Sequence, residues 1–171
     1  MLNRRSRVAV VTALCAVVAG CGLAPWLGRD HAAEAAGLDP AGLVDLGGSA
    51  VAARRAGGRV ELVFVHQSEG EWTASVINAH LEPQTDWSVH LLSYGGDTGL
   101  EWNSFVYGVA PSGAERIAIA VLESSGGKVH GGTWVVAVRE KDLAPDDLTW
   151  EFLDREGAVV REGHGIGPPE A

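Results

Sequence analysis

Two hydrophobic patterns divide the chain. Val8 to Gly20 is a continuous apolar run. From Val60 onward the pattern changes to alternation, with Val60, Leu62 and Phe64 on one face and Glu61, Val63 and Val65 on the other, the period of a strand. Between the two, residues 21–44 mix Ala, Gly, Pro and charge, with room for one or two helical turns at His31 to Ala36, and read as a tether. Ala50 to Arg55 has the look of an early edge strand.

The alternating segments and their interruptions predict the rest of the body. Ser68-Glu69-Gly70-Glu71 makes a hairpin loop and Trp72 to Asn78 the return strand. Leu81 to Asp86 connects to Trp87 to Tyr94, Gly95 to Gly99 turns, and Trp102 to Val109 comes back. Pro111-Ser112-Gly113 turns into Arg116 to Leu122. Ser124 to Gly127 is expected to lead, as a turn, into a strand around Thr133 to Val138, and Lys141 to Asp147 is a loop or short helix. Leu148 to Leu153 and Ala158 to Arg161 form a closing hairpin, which places the β domain at 45–163 and a flexible tail at 164–171. About eight short strands without a long helical period predict an all-β fold, an antiparallel β-sandwich, with a small β-barrel as the alternative. The Cys, Trp, Cys pattern of immunoglobulin domains is absent, so the resemblance is to the immunoglobulin-like architecture without its disulfide.

Trp72, Trp87 and Trp102 recur every 15 residues, each preceded by an acid (Glu71, Asp86, Glu101). A row of Trp rings beside carboxylates is the chemistry of a sugar platform or a glycosidase pair. Successive antiparallel strands would start at opposite ends of a sheet, however, so the rings would not align. The pattern better fits Trp facing the core while its acidic neighbour, one residue away on the pleat, faces water. Trp134 and Trp150, each after a Thr, follow the same scheme.

Six His residues raise the question of a metal, and register argues against one. A loop at 68–71 pairs Gln67 with Trp72 and puts His80 opposite Arg59, so His66 lies seven residues along that strand, roughly 23 Å away. A loop from 81 to 86 leaves His90 about three residues from His80, roughly 10 Å, too far for ligands that must sit near 2 Å from an ion. His130 and His164 have no ligand-type neighbour at metal spacing, and turn or exposed histidine is expected throughout. No Gly-x-Ser-x-Gly elbow occurs. Gly126-Gly127-Lys128 is followed by Val129 and lacks the upstream glycine of a phosphate loop, and Asp97-Thr98-Gly99 lacks the carboxylate series of a calcium loop. The chain therefore offers no catalytic residue, metal site or cofactor motif. Tyr94, Asp97, Asn103 and Tyr107 are the residues expected to line a ligand pocket at one end of a sheet.

The N-terminus supplies an address. Arg4, Arg5 and Arg7 precede the apolar run, and small residues close it, as in a secretory signal. Val18-Ala19-Gly20-Cys21 resembles the lipobox of bacterial lipoproteins, which implies cleavage after residue 20 and lipidation of Cys21. Cys15 is the poorer candidate because bulky Leu14 precedes it. The alternative is an uncleaved membrane anchor over 8–27, a charge-free stretch of the ~20 residues that cross a bilayer. Either reading leaves the Arg cluster inside and the body outside the cytoplasm; secretory and twin-arginine export remain open.

Composition narrows the partners. The chain carries net charge −9; without residues 1–20, which hold three Arg and no acid, ten basic face 22 acidic residues, net −12. An acidic body argues against nucleic acid and against adhesion to anionic headgroups through a basic face. Cys15 and Cys21 are the only cysteines, so no disulfide staples the body and a packed core must hold it. The expected function is a membrane-anchored extracytoplasmic binding protein with a protein or glycan ligand. The alternatives are a small envelope hydrolase using Asp86, Asp97 and Glu101, or a structural accessory subunit marked by an exposed apolar patch.

Overall fold

The computed structural model describes residues 24–83, 85–93, 104–120, 125–138 and 143–167. Among the described residues one α-helix, α1 (Ala24–Ala35), precedes eleven strands: β1 (Val44–Asp45), β2 (Ser49–Ala56), β3 (Arg59–Ser68), β4 (Glu71–Leu81), β5 (His90–Ser93), β6 (Ser104–Val109), β7 (Arg116–Ala120), β8 (Ser125–His130), β9 (Thr133–Val138), β10 (Thr149–Leu153) and β11 (Val159–His164). The fold is all-β in character, with two antiparallel sheets ordered β1-β2-β3-β4 and β11-β10-β7-β8-β9-β6-β5, the second curled into a half-barrel.

Three apolar layers follow from the alternation. Val60 and Leu62 on β3 meet Phe105, Tyr107 and Val109 on β6 between the sheets. Val63 and Val65, one residue out of phase, meet Ala33 and Leu38 beneath α1. The concave side of the half-barrel holds a third cluster built on Val106, Ile117, Ile119, Trp134, Trp150 and Phe152. Strand β6 is buried at every position and β9 at all but Ala137, because one face of each lines the half-barrel and the other meets the four-stranded sheet. That is why both read as nearly continuous apolar runs. Thr133 ties the layers by donating its hydroxyl to the Ala53 carbonyl at 2.7 Å.

Three expectations change. Residues 24–44, read as a tether, are folded onto the body. The helix ends in the paired bonds of a Schellman motif, Leu38 N–H to the Ala33 carbonyl and Gly37 N–H to that of Glu34, both 2.9 Å, with Gly37 at φ +72°. Buried Ala33 and Leu38 supply the accompanying apolar contact. The second change concerns Gly126 and Gly127, which lie within strand β8 rather than in a turn. A Cβ on Gly127 would sit 2.9 Å from the Val135 carbonyl oxygen, so the crowded inner face of the half-barrel requires glycine there. The turn falls instead at Gly131-Gly132, both with positive φ as a two-residue hairpin demands. Thirdly, the chain expected to fray from residue 164 stays attached through Gly167: the Trp150 indole donates to the Gly165 carbonyl at 3.1 Å, and Gly165 N–H donates to Leu148.

Candidate functional site

Tyr94, Asp97 and Asn103 lie outside the described residues, as does Cys21. Tyr107 is fully buried on β6 between the sheets, so it lines no open mouth. Its hydroxyl is buried without a hydrogen-bond partner, and burial raises its pKa. Of the carboxylates of the hydrolase reading, Asp86 is exposed on the connection between the sheets, and Asp97 and Glu101 lie outside the described residues.

Beside Tyr107 the structure makes a contact that register counting ruled out. His80 on β4 and His90 on β5 stack with ring centroids 4.1 Å apart and planes within 4°. Tyr107 lies 5.4 Å from His90 and 6.1 Å from His80, centroid to centroid. The count failed for two reasons. A bulge between Leu62 and Val63 shifts His80 from Arg59 to Val60, and the 82–89 connection carries the chain from one sheet to the other, so β4 and β5 are not neighbours in one ladder. Burial lowers the pKa of both rings, that of His90 to about 4 with the His80 charge as a secondary cause. Parallel imidazoles hold their lone pairs in parallel planes that do not converge on one ion, and among the described residues no three ligand-type side chains gather as a metal site.

The tryptophans divide by layer. Trp87, Trp134 and Trp150 are buried in the half-barrel, with Glu71 and Asp86 turned to water as alternation predicts. Trp72 is half-buried on the other face of the four-stranded sheet, where Gly28 of α1 lies against it; a Cβ at Gly28 would come within 2.8 Å of the indole. Trp102 lies outside the described residues.

A recess lies where the sequence reads as a turn. A groove of about 600 Å³ runs over the outer face of β7 and β8, walled by Ala41–Val44 and reaching Leu153. Arg116 and Lys128 are direct partners across β7 and β8, and next to them Ala118 faces Gly126. The floor beside the two cations is therefore bare backbone and a methyl group. A second recess of about 250 Å³ shares Gly42, Lys128 and His130 with the first and adds Arg54 and Arg55. Reading Ser125 to His130 as a strand would have exposed the Arg116–Lys128 pairing; the Gly-Gly pair hides it.

Comparison of the chain with known proteins finds no matching family, no matching curated protein and no matching solved structure.

Proposed function

We propose that this chain is a membrane-anchored, extracytoplasmic binding protein, lipidated at Cys21 and folded as a β-sandwich of a four-stranded sheet against a half-barrel. The observation that carries the reading is the start of α1. The helix begins at Ala24, three residues past Cys21, and its first turn leaves Trp26 and Leu27 48% and 56% exposed. Three residues span at most about 10 Å, so acyl chains on Cys21 would bring both side chains to the headgroup layer, the depth tryptophan favours. The Arg29 guanidinium stacks 3.9 Å from the Trp26 ring centroid and supports it from the protein side. Among the described residues no helix is long and apolar enough to cross a membrane. Residues 24–27 of the alternative 8–27 span belong to α1, which packs on the sheet.

Feeding a clickable fatty acid to bacteria expressing the full chain tests the anchor. Wild type is expected to take up label and partition with membranes, and Cys21→Ala to lose at least nine-tenths of the label, roughly a tenfold drop. Unlabelled wild type, or full labelling of Cys21→Ala, refutes lipidation.

A further inference from the structure

We propose that the groove over β7 and β8 is a binding site for an anionic ligand, a phosphate or carboxylate group held between Arg116 and Lys128. The inference deepens the binding reading and does not depend on how the chain is anchored. It rests first on a juxtaposition that folding alone disfavours. Like charges directly opposite on antiparallel strands, with Cβ atoms about 5 Å apart, repel and destabilise the pair. Here Arg116 and Lys128 face each other in a body with twice as many acids as bases, yet no carboxylate lies within ion-pairing distance of either among the described residues. Three other arginines have carboxylate partners, whereas Arg59, Arg155 and Arg161, like Arg116, form no ion pair among the described residues. Arg54 meets Glu61 at 2.8 Å, Arg55 meets Glu82 at 3.3 Å, and Arg29 meets Asp30 and Asp45 at 3.2 and 3.5 Å.

Two nearby acids are engaged elsewhere, while Glu151 on β10 stands directly opposite Ala118 on the same face of the sheet. Asp39 accepts the Ala41 N–H and caps the short helical turn at Pro40–Gly42; Asp154 accepts the Ala158 N–H in the β10–β11 turn. What remains is an open trough with positive charge along one side. Its floor is Gly126 beside Ala118. The recess has the volume of a small-molecule site. The Arg116 guanidinium rests near Gly157 in the β10–β11 turn and swings toward Lys128 to supply directional bonds to two oxygens of a phosphate or carboxylate, while the ammonium supplies a mobile point charge. His130, half-buried against Gly42, closes the trough toward the second recess.

The test is calorimetric titration of the full chain in non-ionic detergent at fixed ionic strength, with inorganic phosphate, citrate and tri-galacturonate as probes. The expected result is a dissociation constant of about 0.1–1 mM for at least one probe, weakened tenfold or more in Arg116→Gln/Lys128→Gln and unchanged in Arg59→Gln. The double variant relieves repulsion, so it should melt no lower than wild type, and a lost signal then reports the site rather than the fold. Binding of phosphate or citrate points to a free anion; binding of the oligosaccharide alone points to an acidic glycan. Absence of binding by all three probes up to about 10 mM, or equal binding by the double variant, overturns the anion site. That failure is separate from failure of the anchor, which fatty-acid labelling reads.

Discussion

Gly108 shows how much of this fold depends on single positions. It lies in β6 between Tyr107 and Val109, and a Cβ there would overlap the Ser88 carbonyl, with its carbon at 2.7 Å. Ser88 is fixed in place: its N–H donates to the Val109 carbonyl at 3.0 Å and its hydroxyl accepts the Val109 N–H at 3.2 Å. Because the obstructing atoms are backbone on a bonded segment, Gly108→Ala is expected to destabilise by at least about 1–3 kcal/mol, the range for overpacking. Thermal melting would show this as a drop of several degrees; a melting point within about 2 °C of wild type would refute the close approach. Side-chain direction, by contrast, was readable in advance for several tryptophans. Trp87, Trp134 and Trp150 are buried, at 5%, 2% and 2% exposure. The period of two makes that a local property. Tyr107 was expected in a ligand pocket because it follows loop residues; burial on both faces of β6 placed it in the core instead.

At the scale of elements, glycine and alanine concealed what valine and isoleucine revealed. The alternation of β3, β7 and β10 follows directly from their apolar residues, whereas β8 begins with Ser-Gly-Gly and carries no pattern to read. Helix α1 gave a weak signal for a related reason. It packs through Ala32, Ala33 and Ala36, small residues whose contrast with the mixed polar face is low, and its docking needs Gly28 to lie against Trp72. The packing implies a clear outcome on truncation. A chain starting at residue 37 loses α1 and uncovers Ala50, Ala52, Val63 and Val65; a chain starting at residue 24 keeps that face covered. The shorter chain is expected to lose about 3 kcal/mol or more, which lowers the melting point by roughly 10 °C, and to bind a dye for exposed apolar surface. Equal melting of the two would mean that the segment is the simple tether its composition suggests.

Across the whole molecule, the stacked His80–His90 pair bridges the edge strands β4 and β5 of the two sheets, and their contact is expected to be sensitive to acid. An unfolded histidine takes up its proton near pH 6.5, whereas His90 in the fold does so at about 4, chiefly because it is buried. Between those values the unfolded chain binds more protons, so the contribution is complete above pH 6.5 and is lost as the pH falls toward 4. The lowered pKa of His80 acts in the same direction. Urea midpoints from pH 7.5 to 4 should therefore fall more steeply for wild type than for His90→Gln, and parallel curves would refute a lowered pKa at His90. The same junction separates what the chain carries locally from what it acquires by folding. Strand period, acidic charge, the lack of disulfide partners in the body and the apolar run that precedes Cys21 are properties of the sequence itself, and inspection of the chain is enough to find them. Which strands share a sheet is not a local property. It depends on where the 82–89 connection crosses between layers, on the bulge at Leu62/Val63 and on two glycines that let β8 join β7 to β9. The His80–His90 stack and the Arg116–Lys128 groove both lie at such junctions, because each brings together residues whose contact is set by long-range packing rather than by sequence spacing.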